Sequence, residues 1–168
     1  MKLLAYYLRR AEHSSWAQFM LNLVLWWVIP FNRPHRFWIT KIASDEARIS
    51  LPYRRSNHNH LRGLHACAQA TAAEFVTGVH LLFHLDPSKY RIIMKTFTLE
   101  YLYQGRMNAE SISTISTSWL EEHVVTPLES EESVLVDIPS TVVDASGETI
   151  CQATLCWQIK RWDAVKTR

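Results

Sequence analysis

Between about Leu64 and Phe83 the chain repeats Ala68, Ala72, Phe75, Val76, Val79 and Leu82 every three or four positions, and after it every patterned segment alternates instead. The first interval is that of one helical face, the second that of a half-buried strand. Past the turn at 85–90, strands are predicted at 91–103, 106–116, 133–143 and 149–161, separated by "QG", "TPLESEE" and "ASGE", all rich in residues that favour turns. Ahead of the helix, Ala47, Ile49, Leu51 and Tyr53 share one face of a strand over 46–54, with Arg48, Ser50, Pro52 and Arg54 on the other; 37–43 is its predicted antiparallel neighbour. Pro52 places that strand at an edge or ends it there. One long helix set against about six antiparallel strands is an α+β arrangement in which the sheet must curl around the helix to bury it. The free edges and outer face of such a sheet invite a second copy, so a dimer is expected.

A length of 168 residues fits one domain with a real core. The formal charge is only +2, and Arg9, Arg10, Arg54, Arg55, Arg62, Lys160 and Arg161 fall in scattered pairs rather than a stripe, so nucleic acid is not an expected partner. The last strand turns Cys151, Ala153, Leu155, Trp157 and Ile159 inward. Cys151 and Cys156 then lie on opposite faces, five steps of about 3.3 Å apart, which excludes a disulfide between them and points to a reducing, cytoplasmic setting.

The run "FMLNLVLWWVIPF" (19–31) is broken by Asn22 and ended by Pro30, and is shorter than the about 20 apolar residues that cross a bilayer. It is predicted to lie in a helix over 13–29 that packs on the domain through Trp16, Phe19, Met20, Leu23, Trp26 and Trp27. Core cover is favoured over a membrane-surface or lid role.

The chemistry concentrates in "NHNHLRGLHACAQATAAE" (57–74), a polar knot at the mouth of the alanine-rich helix. The first amides of a helix lack intrahelical partners and sit at the positive end of its dipole, so the N–H of Ala66 or Cys67 is placed to receive a carbonyl oxygen as it becomes an oxyanion. Small side chains let the ligand approach. Glu74 lies eight residues beyond Ala66, roughly 12 Å along the axis. A Glu acting on the same carbonyl must therefore come from a second chain, which makes two composite sites at a twofold interface.

The segment "NHLRGLHACAQATAAE" (59–74) resembles the active-site segment of hotdog-fold acyl-CoA thioesterases of the phenylacetate-degradation type. That pattern has an Asn, five residues, then His-Gly-Gly at the start of the central helix, with Asp or Glu nine residues after the His; Asn59, His65 and Glu74 match both spacings. The resemblance covers roughly 37–161 and implies a hotdog domain over 35–168 behind a helical extension at 1–34. It implies an acyl-CoA or acyl-thioester substrate, Glu74 as base or nucleophile supplied across a homodimer or dimer of dimers, Asn59 holding the water or the carbonyl, and Ala66 as oxyanion donor. His65 is then a loop-fixing residue, and Gly63, His65, Cys67 and Thr77 border the substrate. No cofactor or metal is implied. The family's Gly-Gly is Ala66-Cys67 here, which adds a methyl group where glycine gives open backbone.

Rival readings use the same residues. His80 and His84 have the i, i+4 spacing of a zinc helix, but "LLF" lies between them and no Cys lies near by. No G-x-S-x-G elbow exists. Cys67 as a nucleophile at a helix start is a minor alternative to a small packed thiol. Beside the thioesterase stand a non-catalytic acyl-thioester binding or sensing module, favoured by Ala66-Cys67, and a membrane-peripheral protein anchored by its Trp-rich helix.

Overall fold

The computed structural model describes residues 2–165. Two helices, α1 (Lys2–Ala11) and α2 (Ser15–Val28), precede β1 (Trp38–Ile42) and β2 (Glu46–Leu51). The long helix α3 (Ala66–His84) follows, and then β3 (Tyr90–Tyr101), β4 (Ala109–Thr114), a short α4 (Thr117–Leu120), β5 (Ser133–Asp144) and β6 (Thr149–Arg161). The six strands make one antiparallel sheet in the order β1-β2-β4-β5-β6-β3. It is the curled α+β arrangement expected, with α3 packed on its concave side.

Alternation decides which face is concave. Ala47, Ile49 and Leu51 of β2 are fully buried, as are Cys151, Leu155 and Ile159 of β6. On α3 the buried apolar residues are Ala68, Ala72, Ala73, Val76, Val79 and Leu81, and the alanines let the sheet come close. Trp157 reaches under the helix and donates its Nε1–H to Thr77 Oγ1 at 3.2 Å, which satisfies both buried groups. β2 ends at Leu51, immediately before Pro52, and lies inside the sheet rather than at its edge.

Three local features differ from the expectation. First, α1 is a separate helix whose Leu4, Tyr7, Leu8 and Ala11 are buried; its ten residues carry too short a repeat to stand out. Second, 117–129 is not a plain connection, because short helical turns there bury Leu120, Val124 and Leu128, four residues apart, as a lid on one end of the core. Third, α2 is turned the other way round. Ala17, Leu21, Asn22 and Leu25 face the domain, while Trp16, Phe19, Trp26 and Trp27 are exposed. With apolar residues on every side, periodicity cannot orient this helix, and hydrogen bonds do so instead.

Those bonds run to the edge of the sheet. Asn22 Oδ1 accepts the amide of Ile39 at 2.7 Å, and Asn22 Nδ2 and Gln18 Nε2 donate to the Ile39 carbonyl at 3.1 and 2.9 Å. The helix thus closes the β1 edge with side-chain amides, as a further strand would with its backbone. At the far edge, among the described residues, β3 pairs with β6 alone. A bulge at Lys95 keeps Ile92, Met94, Phe97, Leu99 and Tyr101 in register with the inward residues of β6, so all five face the α3 side.

Asn22→Leu removes the acceptor for a buried Ile39 amide and is expected to cost about 1–3 kcal/mol in urea unfolding. Unfolding indistinguishable from wild type would show that the edge needs no such cover.

Candidate functional site

The loop before α3 is built on an asparagine that sequence reasoning passed over. Asn57 is fully buried. Its Nδ2 donates to the carbonyls of His35 and Pro52 at 3.0 and 2.9 Å, its Oδ1 lies 2.8 Å from His35 Nδ1, and its own carbonyl accepts the amide of His65 at 2.7 Å. It fastens the start of α3 to both ends of the preceding strand pair. The nearby Asn59 acts within the loop: its Oδ1 accepts the amides of Leu61 and Gly63, both at 2.9 Å, and its N–H donates to the Gly63 carbonyl. The Asn59 Nδ2 group has no partner among the described residues. Arg62 sits in the left-handed region at φ 59°, and Tyr53 Oη donates to its carbonyl. Gly63 is buried, and Leu64 N–H donates to the Gly105 carbonyl, which ties the loop to the chain beyond β3.

His65 is the N-cap of α3. Its Nδ1 accepts the Cys67 amide at 3.0 Å, and its carbonyl accepts those of Ala68 and Gln69. Of the two donors expected at the helix start, Cys67 N–H is therefore occupied, and Ala66 N–H is the one without a partner among the described residues. His65, Ala66 and Cys67 are all exposed, and Tyr101 Oη donates to the Ala66 carbonyl at 3.1 Å, which holds the helix start against β3.

From Ala66 a row of residues runs along α3 at intervals of four: Ala70, Glu74, Gly78 and Leu82. None is buried. Glu74 is the only charged member, and its carboxylate has no hydrogen-bond or ion-pair partner among the described residues. Its side chain reaches solvent at the rim of a groove of about 480 Å³, with walls that include Ile29, Gly78, Tyr90, Ile92 and Trp157. Partial desolvation by those apolar walls raises its pKa above the usual carboxylate value. A second apolar cavity of about 290 Å³ lies between α2 and β1, bounded by Leu25, Trp26, Phe37 and Trp38. Phe75 borders both cavities. Of the strand "FTLEYLY", none lines either one; β3 contributes Tyr90–Ile93 instead.

The structure thus gathers Asn59, Gly63, His65, Ala66 and Cys67 at the helix start and sets Glu74 two turns further on. Thr77 lies elsewhere: it is fully buried, with its hydroxyl donating to the helix and accepting from Trp157. His80 and His84 are packed between α3 and the β1–β2 turn. Burial, and then the neighbouring His84, push His80 down to about 4; burial lowers His84 as well. Among the described residues no group of three or more His, Cys, Asp or Glu is placed to hold a metal.

The family described as "Domain of unknown function (DUF4442)" matches residues 19–159. No curated protein matches the chain. Among solved structures, a Pseudomonas aeruginosa protein of unknown function, described as a probable thioesterase, is similar with a TM-score of 0.78 at 17% identity, covering 83% of this chain and 93% of that one. A putative thioesterase from Shewanella oneidensis gives 0.69 at 14%, covering 94% and 98%. A thioesterase from Staphylococcus aureus gives 0.62 at 12%, covering 78% and 98%. It has been crystallised with alanine replacing a glutamine and, separately, a glutamate fifteen residues further on. These likenesses establish the fold as the hotdog fold.

A raised carboxylate pKa carries a stability consequence with a definite sign. Ionising Glu74 costs the folded chain stability, a cost absent while the group is protonated in both states and fully present above its folded-state pKa. Glu74→Gln is therefore expected to melt above wild type near neutral pH, with the gap closing on acidification toward about pH 4. A gap of opposite sign, or one that does not close, would contradict the partial desolvation of the carboxylate by the groove walls.

Proposed function

The chain belongs to the DUF4442 family and carries the hotdog fold, and on that footing we propose that it hydrolyses acyl thioesters, acyl-CoA among them, at two sites shared by the chains of a homodimer. The observation that carries this reading is Glu74: an unpaired carboxylate of raised pKa, at the rim of an apolar groove, on the helix row that begins at the free amide of Ala66.

The carbonyl oxygen of the substrate takes the Ala66 N–H, where the helix dipole favours developing negative charge. Asn59 has its Oδ1 committed to the loop, so its Nδ2 is the group that holds the carbonyl or the attacking water. Glu74 removes a proton from that water. Its oxygen adds to the carbonyl carbon, the tetrahedral oxyanion collapses, the C–S bond breaks, and the proton passes from Glu74 to the leaving thiolate. A pKa above the ordinary value suits a base that must also return the proton.

Glu74 and Ala66 of one chain are about 12 Å apart along the helix, so the Glu74 that serves each carbonyl is that of the second copy. The β3 edge supports such a dimer. It is 12 residues long, has no partner on its outer side among the described residues and exposes Ile93, Phe97 and Tyr101. Antiparallel pairing of two such strands covers this edge and brings the two α3 rows to one interface. The cavities on either side of Phe75 suit the acyl chain.

One observation favours a second reading, an acyl-thioester binder without turnover. His65 occupies the Cys67 amide, leaving a single backbone donor beside the Ala66 methyl group. Thiol release from acyl-CoA substrates running from acetyl to palmitoyl, with one aryl member, separates the two. Hydrolysis predicts turnover that falls at least about 10²-fold in Glu74→Ala while substrate binding is kept. A folded wild-type protein that binds these substrates and releases no thiol would be the binder.

A further inference from the structure

Helix α2 is apolar on both sides, with Ala17, Leu21 and Leu25 buried against the domain. Its polar side chains, Gln18 and Asn22, point into the domain and are spent on Ile39. Its outward side carries the exposed Trp16, Phe19, Trp26, Trp27 and Val28. Trp16 is 63% exposed and Trp27 76%, and the surface continues through Phe31 at 67%. No residue of Ser15–Val28 is charged. A helix on the water-facing side of a domain ordinarily presents its polar residues outward, and a contiguous aromatic surface of this kind marks a contact with an apolar medium.

Basic residues predominate around this face, although Arg9 pairs with Asp86 at 3.3 Å and Lys41 with Glu46 at 2.9 Å. Residues 1–44 contain six Lys and Arg against a single acid, Glu12. Arg9 and Arg10 are exposed at the α1 side and Arg36 at the far end, where Arg33 lies 4.7 Å over the Trp27 ring and donates to the Trp26 and Trp27 carbonyls. Arg33 thereby satisfies the orphan carbonyls at the negative end of the helix while its guanidinium lies over the indole. Two copies meeting through this face would set cations against cations, which disfavours self-association there.

We infer that the outer face of α2 is a docking surface for an anionic lipid bilayer. The indoles and Phe19 enter the acyl boundary, and the arginines meet headgroup phosphates. At 14 residues the helix is about 21 Å long, short of the about 30 Å hydrocarbon core, so it lies along the membrane. No helix among the described residues is long and apolar enough to cross one.

The test is sedimentation of the full chain with vesicles of phosphatidylcholine alone or mixed with phosphatidylserine. Binding to the anionic vesicles is expected, weakened by salt, at least about tenfold weaker in Trp16→Ser/Trp27→Ser and weaker in Arg10→Glu/Arg36→Glu. Brominated phosphatidylcholine in the anionic vesicles should quench the tryptophan fluorescence of the wild-type protein, a readout that needs no variant. Wild-type protein that stays in the supernatant unquenched would overturn the inference. So would a Trp16→Ser/Trp27→Ser protein that binds lipid as wild type does, or one that fails only to self-associate in light scattering, which would assign the face to a second copy.

Discussion

One helix has to satisfy a six-stranded sheet, and most of this structure follows from that disproportion. The sheet closes around α3 because Ala68, Ala72 and Ala73 are small enough to let it approach and because Trp157 finds Thr77 beneath the helix. Wrapping leaves two edges with different fates. The β1 edge is closed within the chain by the amide side chains of α2. The β3 edge is left open, with its apolar residues exposed beside the small-residue row of α3.

The proposed chemistry occupies the open side. Asn57 and the bonds around Asn59 fix the loop that delivers the helix start, so the Ala66 amide is held ready rather than recruited. Glu74 stands where its charge is costly, in keeping with active sites that hold strained or poorly solvated groups at the expense of stability. The closed side has its own consequence. Trp26 belongs both to the outward face of α2 and to the wall of the smaller cavity, so the lipid-facing surface and a cavity beside Phe75 share a wall.

Much of the fold was legible because alternation and helical spacing report burial directly. Ala47, Ile49 and Leu51, the inward residues of β6 and Ala68, Ala72, Val76 and Val79 of α3 fall where their periods put them, while Phe75 and Leu82 of the same predicted face are only half-buried and line the groove. What stayed illegible was decided by hydrogen bonds between distant residues. No pattern distinguishes Asn57, the buried hub, from Asn59 two positions on. Nor does spacing show that His65 takes up the Cys67 amide, that Thr77 serves Trp157, or that Asn22 and Gln18 turn α2 so that its tryptophans look outward. Leu120, Val124 and Leu128 carry a helical interval, but Pro127 cuts the segment too short for the period to be read.

The central claim is that each site takes Asn59 and Ala66 from one chain and Glu74 from the other. Mixing Glu74→Ala with Asn59→Ala chains, unfolding and refolding them together, tests it directly, because only a mixed dimer then holds one site with both halves intact. The account predicts that two variants inactive on their own regain a measurable part of wild-type thiol release after joint refolding. Mixed dimers shown to form, yet no more active than either parent, would contradict it.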